Sequence, residues 1–581
     1  MVARGQCVTQ IVTSGPGPRA LIRQNCARLN RSGWKKRCLR ATGTLSGGCG
    51  PPAALWHDRA KPGASSSCRV ANINPSRTDP ADWVERAVER QGSRPFLATV
   101  TGQTLTYRDL HAHSGRLAAT LAACGVEAGD RVAMQVDKSA DAVLLYVACL
   151  RLGAVLVPLN TAYTAAELEY FLTDARPRLA VVRPADRALL ERLARQAGCS
   201  RLETLGTAGE GSLRALAQRP GVAPAVGPVL RPDALAALIY TSGTTGRSKG
   251  AMLTRGNLAA NAATLADCWR FTPQDVLLHT LPLNHVHGLF VAINTVLAAG
   301  ASLVLLPRFD AAEVVRRLAA ASVYMGVPTH YTRLLQQRDL GRATTAGVRL
   351  FVSGSAPLLA DTHREFEQRT GHVILERYGM TETLMNTSNP YDGPRLPGSV
   401  GLPLPGVELR VAGPGGAAGP GAVGMLEVRG PNVFAGYWND ARKSAESFTA
   451  DGFFITGDLG SIDAAGYVHI VGRAKDVVIS GGYNVYPKEV EAELDALPGV
   501  LESAVIGLPH PDLGEGVTAV VACAPATTLV EAEVVQALQQ RLAGYKVPRR
   551  VLLVAELPRN AMGKVQKAAL RASYAALYQP A

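Results

Sequence analysis

YTSGTTGRSKGAMLT, residues 240–254, follows the apolar run ALAALI at 234–239. Between Thr241 and Ala251 lie two hydroxyl-rich pairs, three glycines and Lys249. A short buried strand running into such a stretch predicts a phosphate cradle. Glycines let backbone N–H groups approach phosphate oxygens closely. Thr241, Ser242, Thr244 and Thr245 supply hydroxyl donors around Gly243 and Gly246, and Lys249 supplies a point charge. The spacing is not Walker A, because Ser248 precedes Lys249 and Gly250 follows it. It is not G-x-G-x-x-G either.

Outward from this stretch, helical and strand patterns alternate from about Pro80. DRVAMQV (130–136), LAVVRP (179–184), SLVLLP (302–307) and VRLFVSG (348–354) read as strands separated by helical spacing. That order predicts an α/β fold with parallel, doubly wound sheets. FLATVTGQTLTY (96–107) reads as two strands around Gly102, and 107–125 as a helix closed by Gly125. The longest apolar run, AVLLYVACLRLGAVLVPL (142–159), is interrupted by Arg151, so it reads as a buried helix leading into a strand rather than a membrane span. From about residue 395, short strands with Gly and Pro turns predict a β-rich subdomain to 474. A new αβ pattern over 475–581 predicts a small α+β C-terminal domain. Residues 76–474 are then one large domain.

The net charge of +14 is unevenly spread. Residues 1–75 carry twelve Lys and Arg against the single acid Asp58, a balance of +11, which leaves +3 for the rest of the chain. The body therefore lacks the general positive excess of a nucleic-acid binder. Residues 1–75 read as a basic, disordered extension, or alternatively as an Arg-rich transit peptide. The expected location is the cytoplasm, with the mitochondrial matrix as the alternative if this segment is a transit peptide. The ten cysteines include no C-x-x-C pair, so a zinc site or a disulfide framework is not expected.

Five further segments follow in order: SGSAPL (353–358), ERYGMTET (376–383), GFFITGDLG (452–460), VGRAKDVVISGGYNVYPKEVE (471–491) and LPRNAMGKVQK (557–567). With the opening stretch they resemble the adenylate-forming superfamily of acyl-CoA synthetases, luciferases and adenylation domains, over residues 80–575. The resemblance implies ATP, Mg²⁺ and coenzyme A as the small molecules used, with a mobile C-terminal domain. It implies that the opening loop grips the β- and γ-phosphates. Thr244 and Glu382 are then the metal-side residues, and Thr381 lies near the α-phosphate. Gly354, Ser355, Ala356 and Tyr378 border the adenine, while Asp458 and Arg473 contact the ribose. Lys564 is the implied catalytic cation, with Lys567 as a solvated neighbour, and Lys475 is the implied hinge. Ser480, Gly481 and Gly482 belong to a face offered to coenzyme A after rotation.

The segments 281–290, 325–335, 353–366 and 376–401 resemble malonyl-CoA synthetases within that superfamily, with methylmalonate as a possible second acid. The resemblance places His285 in the acyl pocket. A second carboxylate needs a cation or several donors. Arg333 in YTRLL is the candidate fork, and Ser353, Met385 and Thr387 are further pocket candidates. Leu384 stands where a polar residue such as Asn is expected in this group. Alternatives are a ligase for another short or aryl acid and a non-catalytic nucleotide-binding homologue. The sequence leaves the oligomeric state open.

Overall fold

The computed structural model describes residues 79–225, 227–241, 248–413, 416–524, 529–560 and 563–579. The expected extension 1–75 and the loop residues 242–247 lie outside them. The fold is α/β, with two large sheets, a smaller β-rich sheet and a further C-terminal sheet.

The six-stranded sheet is parallel except at its edge, where Leu235–Thr241 pairs antiparallel with Lys249–Thr254. The nine-stranded sheet is parallel through its centre, from Pro95–Thr99 to Leu375–Met380. It turns antiparallel at Leu384–Ser388. Helices cover the parallel parts because parallel strands require crossovers. The expected hairpin around Gly102 forms between Pro95–Thr99 and Thr104–Thr106. Tyr107–Ala123 is helical, with a capping box at Thr106 and Asp109, and Gly125 takes φ +81° just beyond its end.

Arg151 shows why the longest apolar run is not a membrane span. It lies in the wholly buried helix Ala140–Leu152. Its guanidinium pairs with Glu85 at 2.8 Å and donates to Ser114 Oγ at 3.0 Å. The charge is thus held inside the protein core by partners from two other helices. Among the described residues, no helix is long and apolar enough to cross a membrane.

The β-rich part is a five-stranded antiparallel sheet whose last two strands, Phe454–Ile462 and Val468–Arg473, carry the TGD and GRAKD segments. A separate sheet follows, centred on the long pair Val500–His510 and Gly514–Cys523. It has its own apolar core, including Val490, Leu494, Val505, Val517 and Val551.

Candidate active site

The glycine-rich stretch is a strand–loop–strand. Thr241 and Lys249 face each other across the antiparallel pair, so both ends of the loop are held side by side. Ser242, Gly243, Thr244, Thr245 and Gly246 lie outside the described residues, and with them the expectation of Thr244 as a metal-side group. Lys249 Nζ sits 5.7 Å from the centroid of the Tyr437 ring. The Tyr437 hydroxyl donates to Glu382 Oε1 at 3.0 Å.

That link is built on backbone. Trp438 N–H donates to Gly250 O at 2.7 Å, Met252 N–H to Gly436 O at 3.0 Å, and Ala435 N–H to Met252 O at 2.9 Å. Phe434 N–H donates to Glu382 O at 2.8 Å. Residues 434–438 therefore lace the strand bearing Lys249 to the turn bearing Glu382. Tyr437 was not among the expected site residues. Its signal was the aromatic pair in GYW, which by itself reads as a β-turn.

Thr381 and Glu382 occupy the tight turn between Leu375–Met380 and Leu384–Ser388. Burial raises the Glu382 pKa, while the Tyr437 hydrogen bond and the Arg473 charge hold it back. Among the described residues, no three His, Cys, Asp or Glu side chains gather into a metal-sized group. Glu382 thus offers a magnesium ion one carboxylate. That fits an ion that completes its shell with water and substrate phosphates.

Leu384 closes the turn with φ +50° and is buried. Leu384 thus holds a left-handed backbone at a buried turn, a conformation that Asn would adopt more easily.

Asp458 and Arg473 are direct neighbours on paired strands. Arg473 Nε lies 2.6 Å from Asp458 Oδ1, and the Tyr378 hydroxyl donates to Oδ2 at 2.6 Å. The three side chains expected around adenine and ribose are therefore brought together. Gly354, Ser355 and Ala356 follow the strand Leu350–Ser353. Ser355 takes φ +71°, and its hydroxyl lies 3.2 Å from His287 Nδ1.

Gly354 is needed for space. A Cβ there would fall 2.5 Å from Arg377 Cζ, so this guanidinium lies directly on the glycine. Arg377 is 2% exposed, and its Nε and Nη2 have no hydrogen-bond partner. Burial, with only partial relief from Tyr331 and Glu376, pushes its pKa down to about 9. Burial and then Arg377 also lower the histidines. His285 falls to about 4 and His287 falls well below its usual range. Ser353 Oγ and His287 Nε2 are likewise buried without partners. Such groups are costly unless something satisfies them. Ser353 ends its strand beside the parallel strand that carries Arg377, the side of an α/β sheet where ligands bind, and His287 begins the helical segment His287–Ile293.

The expected fork, Arg333, is placed differently. It projects from the helix Pro328–Leu335 and is exposed. Met385 is buried in the main core, its Cε packed against Gly379. Thr387 is buried and donates to Val400 O at 2.7 Å.

Beside Arg377 on the same strand, Glu376 is a stability element. Its Oε1 accepts Leu358 N–H at 3.0 Å, and Oε2 has no partner. Burial raises its pKa from 4.5 to about 7, although Lys488 and Arg377 oppose this. Between those values the folded state keeps a proton that the unfolded state has lost. The contribution is therefore fully present below about pH 4.5 and is lost as pH rises towards 7. Its size is roughly 3 kcal/mol. Denaturant unfolding at pH 5 and pH 8 should show that much less pH dependence in Glu376→Gln than in the parent. Parallel slopes for the two proteins would contradict this assignment.

Lys564 sits on a tight loop. Asn560 N–H donates to Lys564 O at 3.0 Å, and Lys564 N–H to Asn560 Oδ1 at 3.0 Å. Gly563 takes φ +72°, and a Cβ there would lie 3.1 Å from Thr329 Oγ1 at the start of the helix Pro328–Leu335. The loop is thus docked on the large domain. Lys564 keeps solvent contact, while nearby protein reduces the hydration of its ammonium. That desolvation, then the charge of Arg473, lowers its pKa, while Asp458 opposes the change. Lys564 in turn helps depress His285. Lys564 is thus within electrostatic reach of Asp458, Arg473 and His285. Lys567 points elsewhere and pairs with Glu491 at 2.6 Å.

Lys475 lies in the short 3-10 turn Ala474–Asp476 directly after Arg473, and Asp476 pairs with Arg571 at 2.7 Å. Ser480 is buried at the end of the strand Val478–Ser480. Gly481 and Gly482 make the following turn with φ +58° and +82°. Among the described residues, no hydrogen bond or ion pair joins these three to the cleft.

The AMP-binding enzyme pattern matches residues 84–438, and the AMP-binding enzyme C-terminal domain pattern matches residues 489–564. The chain belongs to the AMP-binding enzyme family. This AMP-binding enzyme is 38% identical over 504 residues to the mitochondrial malonate–CoA ligase of Mus musculus, covering 80% of this chain and 85% of that one. It is 37% identical to the sulfoacetate–CoA ligase of Cupriavidus necator, covering 82% of this chain and 94% of the relative. Among solved structures, ATP-bound MatB from Rhodopseudomonas palustris matches with TM-score 0.83 and 54% identity, over 86% of this chain and all of that one.

Proposed function

We propose that this AMP-binding enzyme is a malonate–CoA ligase. Malonate and ATP give malonyl adenylate and pyrophosphate, and coenzyme A then displaces AMP to give malonyl-CoA. The observation that carries the acid specificity is the buried Arg377, whose Nε and Nη2 have no hydrogen-bond partner among the described residues and whose charge Glu376 only partly offsets. A dicarboxylate fits this site, because its far carboxylate supplies the missing charge to a planar fork.

The residue roles follow from charge. Two anions must approach, so the cleft has to neutralise and align them. Residues 241–246 and Lys249 take the β- and γ-phosphates. Gly354, Ser355, Ala356 and Tyr378 border the adenine, and Asp458 accepts from the ribose hydroxyls with Arg473 beside it. Thr381 lies at the α-phosphate, and Glu382 holds magnesium, which when bound screens phosphate charge. Lys564 bridges the near carboxylate and the α-phosphate as negative charge develops. His285 and His287 are neutral at physiological pH and line the acyl side without a charge of their own. Lys475 serves as the hinge for a rotation that brings Ser480, Gly481 and Gly482 towards the coenzyme A thiol.

The test is CoA-dependent AMP release with malonate, methylmalonate, sulfoacetate, propionate and phenylacetate. Malonate should lead propionate by at least about tenfold in kcat/KM, the effect of about 1.4 kcal/mol. A monocarboxylate preference would contradict the reading, and a sulfoacetate preference would keep Arg377 and change the acid. Location is tested by fusing residues 1–75 to a fluorescent protein. Diffuse signal supports the cytoplasm, and mitochondrial signal supports a transit peptide, the location named for the mouse relative.

A further inference from the structure

Arg559 lies five residues before Lys564, in the segment that docks against the helix Pro328–Leu335. Its Nη2 pairs with Glu502 Oε2, and its Nη1 donates to the Gly563 carbonyl. Glu502 belongs to Val500–His510, the long strand in the C-terminal sheet. Arg559 also forms an isolated backbone bridge with Val565.

The Gly563 carbonyl and the Lys564 N–H belong to one peptide unit. That unit is held on both sides: Arg559 grips the carbonyl, and Asn560 Oδ1 accepts from the N–H at 3.0 Å. A peptide is planar, so fixing both ends leaves little freedom in the direction of the Lys564 Cα–Cβ bond. Gly563, at φ +72°, supplies the sharp reversal. Arg559 thus connects the reacting loop to the long edge strand of the C-terminal sheet. Only a fork reaches both partners in a fixed geometry, because lysine is a point donor on a flexible stem.

We propose that Arg559, anchored by Glu502, is a positioning residue that orients Lys564 for adenylate formation. This rests on Lys564 being the cation of the first half-reaction. Arg559 touches no reacting atom and acts through the loop.

The experiment uses the full chain with Arg559→Gln, Arg559→Lys, Glu502→Gln, Lys564→Ala and the double variant Arg559→Gln/Lys564→Ala. Malonate-dependent ATP–pyrophosphate exchange reads adenylation, and thioester formation from synthetic malonyl-AMP reads the second half-reaction. Thermal melts check folding. Arg559→Gln should lower the kcat of exchange about 10- to 100-fold, the worth of one charge-assisted hydrogen bond. KM for ATP and malonate should stay within about twofold, because ground-state binding is untouched. Arg559→Lys should not restore the rate, and Glu502→Gln should lose part of it while keeping the fold. Thioester formation should stay within about twofold. In the Lys564→Ala background, Arg559→Gln should add almost nothing, because residues that act as one unit are not additive.

Equal losses in both half-reactions, a change in KM alone, or full additivity with Lys564→Ala would overturn the positioning role. If Lys564→Ala abolishes exchange while both Arg559→Gln and Glu502→Gln keep it, the clamp alone fails. If Lys564→Ala itself keeps exchange, the reading of Lys564 falls and the clamp falls with it.

Discussion

Lys564→Ala should lower malonate-dependent adenylate formation by about 100- to 1,000-fold, the typical cost of removing one group aimed at developing charge. Thioester formation from synthetic malonyl-AMP should stay within a few-fold. The split is expected because only the first step creates negative charge between a carboxylate and a phosphate. The surroundings of Lys564 support this role. The surrounding protein and then Arg473 lower its pKa, and an anionic α-phosphate beside the ammonium would favour its charged form. Its loop is docked beside Thr329, and the lysine lies within electrostatic reach of Asp458 and Arg473. Equal losses in the two half-reactions would give Lys564 a general supporting role instead.

The second large effect concerns Arg377. Arg377→Ala should lower kcat/KM for malonate by about 30-fold or more, from roughly 2–5 kcal/mol for a buried charged contact left unpaired. Propionate should change little or improve, since it has no far carboxylate and the variant removes a buried charge that Glu376 only partly offsets. Arg377→Lys should fall between, because it keeps charge but loses the planar fork. Arg333→Ala is the matching control. Its guanidinium is exposed, and an exposed charge is worth at most about 1 kcal/mol, or roughly fivefold. A malonate-selective loss in Arg333→Ala that exceeds the loss in Arg377→Ala would move the fork back to Arg333. Equal losses on both acids in Arg377→Ala would make that residue structural.

These two arginines mark what could be read in the sequence and what could not. The α/β class was legible because strand and helix periods alternate over hundreds of residues. Arg151 was legible as a break in an apolar run, but its partners Glu85 and Ser114 lie far off in sequence and needed the fold. Asp458, Arg473 and Lys564 drew attention because each sits in a contiguous signature, and the structure pairs Arg473 with Asp458 and brings Lys564 within their electrostatic reach. Arg377, the second residue of ERYGMTET, drew no attention in the sequence. Strand alternation gives its face, but not whether that face meets an acid. Arg333 drew attention because YTRLL borders the acyl segments, and the exposure of a helix position is not visible in five letters. Tyr437 was missed for a related reason. Its link to Glu382 spans 55 residues and depends on residues 434–438 lying along the strand that begins at Lys249.

The central claim is that this protein activates malonate as an adenylate. The most direct measurement is exchange of labelled pyrophosphate into ATP, with malonate and magnesium present and coenzyme A left out. Rapid, malonate-dependent exchange is the predicted result, with AMP accumulating once coenzyme A is added. Absence of exchange until coenzyme A is supplied, or release of ADP and phosphate in place of AMP and pyrophosphate, would contradict it.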